Sequence, residues 1–211
     1  MNKDDFKVTA YFYNSNNLKF RKYLEIKRKT YLEEKNDLNV IMMNPGSSKP
    51  KDINEITNSN FLNKFVLAHP DPTQFQIMRI MNNCNLNYAK IINLSDVRNG
   101  SSNEFYKLLD NELKDLNHSI FHEGNVEQLR DYLNLEASFI FGWGVSSKLN
   151  NLAKIALHKI ENLKAQEAKI FGIKHPINQY GYYHPLPRTG KQQENWVKQI
   201  TSQIKNYSQH R

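Results

Sequence analysis

Two short segments carry the residue types from which a binding or reacting site can be made. The first, Met42-Met43-Asn44-Pro45-Gly46-Ser47-Ser48-Lys49, places an amide, a Pro-Gly turn, two hydroxyls and an ammonium directly behind an apolar run. A turn of this kind can present backbone N–H groups, and with its serines and lysine it can form a phosphate-binding concavity. The second, Tyr182-Tyr183-His184-Pro185-Leu186-Pro187-Arg188, sets an imidazole among aromatics and prolines. Such a stiff loop has little conformational freedom to lose on binding. An imidazole that merely bonds a backbone carbonyl would account for this segment equally well.

Positioning these groups is the task of the surrounding elements. Residues 6–13 are β-branched and aromatic and lead through four polar residues into 18–27, which predicts a hairpin over 6–27. Residues 38–43 form a short apolar run closed by Pro and Gly, the pattern of a strand covered on both faces. Asp71-Pro72 predicts a helix start, followed by an apolar stripe of Phe75, Met78 and Met81 with Ile77 and Ile80 beside it. Further strands are expected at 88–94, 137–142 and 168–172. Helices are expected at 103–116, 125–133, 145–164 and 191–206.

This alternation predicts one α/β domain over 1–211, three layers deep, with a central, mostly parallel sheet flanked by helices. Its core would span 38–190, with the hairpin before it and the last helix after it. Ligands of such sheets bind beyond the carboxyl ends of the strands. That rule gathers Asn44-Pro45-Gly46, the stretch Asn93 to Arg98, and Gly142-Trp143-Gly144 on one edge.

Composition narrows the partners. The formal net charge is +8, which favours an anionic partner, with nucleic acid the commonest. Residues 19–29 hold six basic residues against Glu25, and 188–211 hold five against Glu194. A single cysteine, Cys84, excludes a disulfide framework within one chain and suits a reducing cytoplasm. No apolar run approaches the roughly 20 residues of a membrane span. P-loop, GxGxxG and HExxH signatures are absent, and the seven histidines are scattered, so the expectation is no metal and no organic cofactor.

Two resemblances follow from the motifs. Met43-Asn44-Pro45-Gly46 with His184-Pro185-Leu186-Pro187-Arg188 resembles the uracil-DNA glycosylase superfamily, especially its mismatch-specific and single-strand-selective branches. Over more of the chain, from about Arg21 to Gly190, the sequence resembles the uncharacterised bacterial family known as domain of unknown function 1643. The residues behind this second likeness are MNPGSS, Asp71-Pro72-Thr73, Asn93-Leu94 with Arg98, Gly142-Trp143-Gly144 and His184-Pro185-Leu186.

The first resemblance implies a DNA base glycosylase that hydrolyses the N-glycosidic bond of uracil or another modified base. Asn44 would position a water, and a neutral His184 would hydrogen-bond the carbonyl where charge accumulates. Asn93 would read the base edge, while Pro45, Gly46, Ser47 and Trp143 would complete the pocket. Leu186 or Arg188 would fill the gap left by the extruded base, with Lys49, Arg98 and Lys191 on the phosphates. The family's stacking aromatic is missing after the Asn-Pro-Gly turn, where Ser47, Ser48 and Lys49 stand. Phe75 or an aromatic of 180–183 is the expected substitute. A non-catalytic nucleic-acid or nucleotide binder, and a hydrolase of free nucleotides or nucleosides, remain the alternatives for the same pocket.

Overall fold

The computed structural model describes residues 3–51, 64–114 and 116–209. Its first element is a hairpin of β1 (Phe6–Ser15) and β2 (Leu18–Arg28). Asn16 and Asn17 make the turn with φ of 47° and 61°. Positive φ at both central residues matches the right-handed twist of the flanking strands, and asparagine tolerates it. The pairing runs from Phe6 opposite Arg28 to Ser15 opposite Leu18.

The register slips once along this hairpin. Tyr11 faces Tyr23, but Phe12 faces Arg21, which leaves Lys22 as an extra residue on β2. A bulge reverses the alternation of every side chain beyond it. Leu24 and Ile26 lie in the first of the two cores, whereas Phe20 lies in the second.

The other strands are β3 (Leu38–Met42), β4 (Lys64–Leu67), β5 (Tyr88–Asn93), β6 (Ser138–Phe141) and β7 (Ile170–Phe171). All seven make one sheet in the order β4-β1-β2-β5-β3-β6-β7. The expectation of a mostly parallel sheet is corrected here. Strands β5, β3, β6 and β7 run parallel to one another, but β4-β1, β1-β2 and β2-β5 are antiparallel and hold most of the paired residues. A two-residue turn can only return the chain antiparallel, and β2 then docks beside β5 rather than standing apart from the sheet. Strand β4, which had no counterpart in the sequence reading, extends the antiparallel half.

Helices α1 (Pro72–Asn83) and α5 (Gly190–Gln209) cover one face, with Ile77, Met78 and Met81 meeting Trp196, Val197 and Ile200 in the first core. Helices α2 (Ser102–Asp110), α3 (Val126–Tyr132) and α4 (Asn150–Leu163) cover the other through Phe105, Leu129 and Ala153. Three boundaries differ from expectation. The helix expected over 103–116 ends at Asp110, where Asn111 Nδ2 donates to Lys107 O at 2.9 Å; position 115 lies outside the described residues. The one expected from 145 begins at Asn150, after a short turn capped by Ser146. The final helix is longer than expected. Among the described residues no helix is long and apolar enough to cross a membrane.

Gly172, just beyond β7, has the closest surroundings of the described glycines. A Cβ there would lie 2.5 Å from Tyr182 Cδ1 and 2.9 Å from the Phe141 carbonyl oxygen. Gln203 of α5 also clasps its backbone, accepting from the N–H at 3.0 Å and donating to the carbonyl at 3.3 Å. Gly172→Ala should therefore destabilise the fold by about 1–3 kcal/mol through overpacking. The readout is a lower urea midpoint at unchanged m value, and an unchanged midpoint would contradict it.

Candidate functional site

Within the parallel half of the sheet, β3 stands between β5 and β6, the strands that follow it through helices on opposite faces. The connections therefore diverge at the carboxyl end of β3 and leave a crevice there, as open α/β sheets do. A cavity of about 450 Å³ occupies this place, within the usual size range of small-molecule sites.

The fully buried strand Leu38–Met42 delivers Asn44 to the cavity wall. Asn44 Nδ2 donates to the carbonyls of Asn99 at 2.8 Å and Val97 at 3.3 Å. With both amide hydrogens committed, its Oδ1 is left as an acceptor in a fixed orientation. The chain then turns through Gly46, at φ 60°, and closes with the Ser48 N–H donating to Pro45 O at 3.3 Å. The N–H groups of Gly46 and Ser47 have no backbone acceptor among the described residues.

His184 reaches the same cavity from the far end of the chain. Its loop is held at several points. Tyr182 and Gly144 exchange hydrogen bonds at 2.8 and 3.1 Å, and α5 grips the loop through Trp196 Nε1 to Tyr183 O at 2.8 Å and Gln193 Nε2 to Pro187 O at 2.9 Å. Gly142 lets Pro185 settle on the end of β6, since a Cβ there would be 3.1 Å from Pro185 Cδ. The Leu186 N–H donates to His184 Nδ1 at 3.1 Å, so the imidazole proton sits on Nε2. Burial pushes its pKa from 6.5 down to about 4, and the ring is neutral at pH 7.

The remaining expected residues divide into two groups. Pro45, Gly46, Ser47, Asn93, Trp143 and Leu186 border the cavity with Asn44 and His184. Asn93 is fully buried, however, and its amide is engaged in the orientation, assigned from its neighbours, that satisfies both ends: Nδ2 then donates to Asn44 O at 3.3 Å and Oδ1 accepts from Arg21 Nη2 at 3.2 Å. Trp143 is a buried post, packed on Phe141 and Tyr182 and donating from Nε1 to Tyr180 O at 2.8 Å. Outside the cavity wall stand Phe75, Lys49, Arg98, Arg188 and Lys191. Phe75 faces the first core beneath Lys3, whose Nζ is 3.7 Å from the ring centroid, so it is not the substitute stacking ring. Lys49, Arg188 and Lys191 are exposed, and Arg98 lies half-buried over Phe12.

Sequence reasoning missed three contributors. Tyr106 of α2 borders the cavity beside Met43, its hydroxyl 3.7 Å from Met43 Sδ, and is the aromatic present where the Asn-Pro-Gly turn lacks one. Asp71 borders it too, with Oδ1 accepting from the Gln74 N–H at 2.9 Å while Gln74 Oε1 accepts from the Asp71 N–H at 3.3 Å. That reciprocal cap was legible in Asp71-Pro72; its place in the cavity was not. Arg21 enters from β2, and strict alternation along that strand would have sent it to the other face.

Chemically, the wall offers an oriented acceptor at Asn44, a neutral donor at His184, free backbone donors in the Asn-Pro-Gly turn, and a buried cation at Arg21. Comparison with curated proteins and with solved structures finds no match. A family model described as a protein of unknown function, DUF1643, matches residues 25–186, a span that holds all of these groups except Arg21. The chain belongs to the DUF1643 family.

Proposed function

We propose that the protein hydrolyses the N-glycosidic bond of uracil or another modified base in DNA, on a fold of the uracil-DNA glycosylase kind. The observation that carries this reading is the convergence of Asn44 and His184, distant in sequence, on one cavity at the carboxyl edge of β3. Breaking the bond builds positive charge on the sugar and negative charge on the departing base. Asn44 Oδ1 accepts a hydrogen from water and holds its oxygen against the anomeric carbon, a contribution of placement. His184 Nε2–H donates to the base oxygen on which charge accumulates.

A base must leave the helix stack to reach such a cavity, at a cost of a few kcal/mol in a duplex. Leu186 at the cavity edge and the exposed Arg188 stand next to His184 and can fill the gap. Lys49, Arg98 and Lys191 supply charge for the phosphates, and Tyr106 with Met43 gives the base an apolar wall.

The test is incubation with end-labelled single- and double-stranded DNA carrying uracil, other deaminated bases or bulky modified bases, followed by alkali to reveal abasic sites. Asn44→Ala should slow abasic-site formation about 100-fold, the scale of a misplaced reactant. Product that persists unchanged in Asn44→Ala would remove Asn44 from the mechanism. Salt-sensitive DNA binding with no abasic product on any substrate would make the protein a binder rather than a hydrolase.

A further inference from the structure

The bond-breaking step as described uses no charged group, yet the cavity wall holds two, Arg21 and Asp71. Arg21 is only 3% exposed and borders the cavity. Its Nη2 serves Asn93, while Nε and Nη1 are enclosed with no hydrogen-bond partner. Among the described residues no carboxylate forms an ion pair with it. Asp71 commits one oxygen to the cap of α1. Asp96, whose carbonyl accepts from the Arg21 backbone N–H at 2.8 Å, has a buried carboxyl pushed well above the usual carboxylate range. Arg98 adds a second cation nearby, also with an unpartnered Nε.

A buried guanidinium short of acceptors is costly to the free protein and is retained where something pairs with it. The fold also contains a device that aims this side chain. The bulge at Lys22 reverses the parity of β2, so Arg21 pairs opposite Phe12 on the α1 face and not opposite Tyr13 on the other. Bulges recur where a side chain is re-aimed beside a site.

We propose that Arg21 binds a negatively charged oxygen of the ligand inside the cavity. Two sources share this chemistry: the phosphate of a mononucleotide, and the oxygen of a base that becomes anionic as its glycosidic bond breaks. Either would pair with the guanidinium charge at the cavity wall, and a small movement of the side chain would turn its unused, enclosed donors to the ligand oxygen as charge-assisted hydrogen bonds. Asp71, at the same cavity, leaves an N–H-bearing edge of the ligand an acceptor. The inference concerns binding, and it stands whether or not the bond is hydrolysed.

Isothermal titration of the full chain decides it, with inorganic phosphate, uridine 5′-monophosphate, uridine, and uracil below and above the pH at which it ionises. The variants are Arg21→Met and Arg21→Gln, each checked for folding by circular dichroism. An anionic probe should bind, its neutral counterpart should bind at least roughly tenfold more weakly, and both variants should lose at least roughly tenfold for the anion. Binding of phosphate and the monophosphate assigns the phosphate source, and binding that appears only as uracil ionises assigns the base oxygen. Equal affinity for charged and neutral probes, or a smaller loss in the variants, overturns the inference. Should neither variant fold, the wild-type unfolding midpoint must rise with the anionic probes and not with uridine; no rise overturns it equally. Failure of base release with Arg21-dependent anion binding intact would remove the hydrolase reading alone.

Discussion

On the proposed glycosylase reading, His184→Ala should lower the rate of base release by about 10²- to 10³-fold, the scale of removing one preorganised donor from a developing oxyanion. The size of the effect follows from how firmly the donor is set. Nδ1 is occupied by the Leu186 N–H, the loop is fastened to Gly144 and to α5, and the proton is thereby confined to Nε2. Water entering the space left by alanine would have to be ordered during the reaction, which the imidazole does beforehand. Single-turnover measurements on saturating DNA should show the loss in the chemical step, with substrate affinity nearly unchanged. His184→Gln, which keeps an N–H donor, should recover part of the rate. Loss of affinity alone, or a change within about threefold, would take His184 out of the reacting set.

The same residue makes a pH prediction. In the proposed mechanism the neutral ring is the donor, and burial lowers its pKa from 6.5 to about 4. The rate should therefore show no His184 inflection near 6.5 and should fall only as the pH approaches 4. The sign for stability runs the same way. A base with a depressed pKa binds fewer protons folded than unfolded, so its contribution is complete above 6.5 and is lost as the pH falls toward 4. An inflection near 6.5 that disappears in His184→Ala would show a solvated, charge-switching histidine instead.

Trp143→Ala should destabilise the protein by about 3–5 kcal/mol, the range for removing a large buried aromatic. Trp143 is 1% exposed, with its ring centroid 4.7 Å from Phe141 and 5.0 Å from Tyr182. It joins the end of β6 to the segment that carries His184, because its Nε1 donates to Tyr180 O and Tyr182 ladders with Gly144. Trp143→Phe keeps most of the packing but leaves the Tyr180 carbonyl unpaired, for a smaller loss of about 1–3 kcal/mol. Urea denaturation should order the proteins wild type, then Phe, then Ala. Under conditions where Trp143→Ala is still folded, activity should fall with the support of His184. A loss below about 1 kcal/mol would mean the core collapses around the gap.

Local chemistry explains how much of this could be read along the chain. The Asn16-Asn17 turn, the buried strand ending at Met42 and the Asp71-Pro72 helix start each depend on neighbours a few residues away, and each is present. The three polar turns expected on one edge do meet there, since β3, β5 and β6 run parallel and end together. Phe75 failed as a stacking ring because helical periodicity tells which residues share a face, not which layer that face meets.

What tertiary structure alone decided was parity, docking and protonation. A single extra residue, Lys22, turns Arg21 from one face of the sheet to the other, and only the pairing with β1 reveals it. The position of the hairpin beside β5, which makes the sheet mixed, is a pairing between segments distant in sequence. Tyr106 reaches the cavity only because α2 folds back over the end of β3. The state of His184 follows from a hydrogen bond and from burial that exist only in the folded loop. From its sequence alone the protein had an Asn-Pro-Gly turn at a strand end and a stiff loop around a histidine, because both are written in neighbouring residues. That they border one cavity with a buried guanidinium was settled by long-range packing, which no local pattern records.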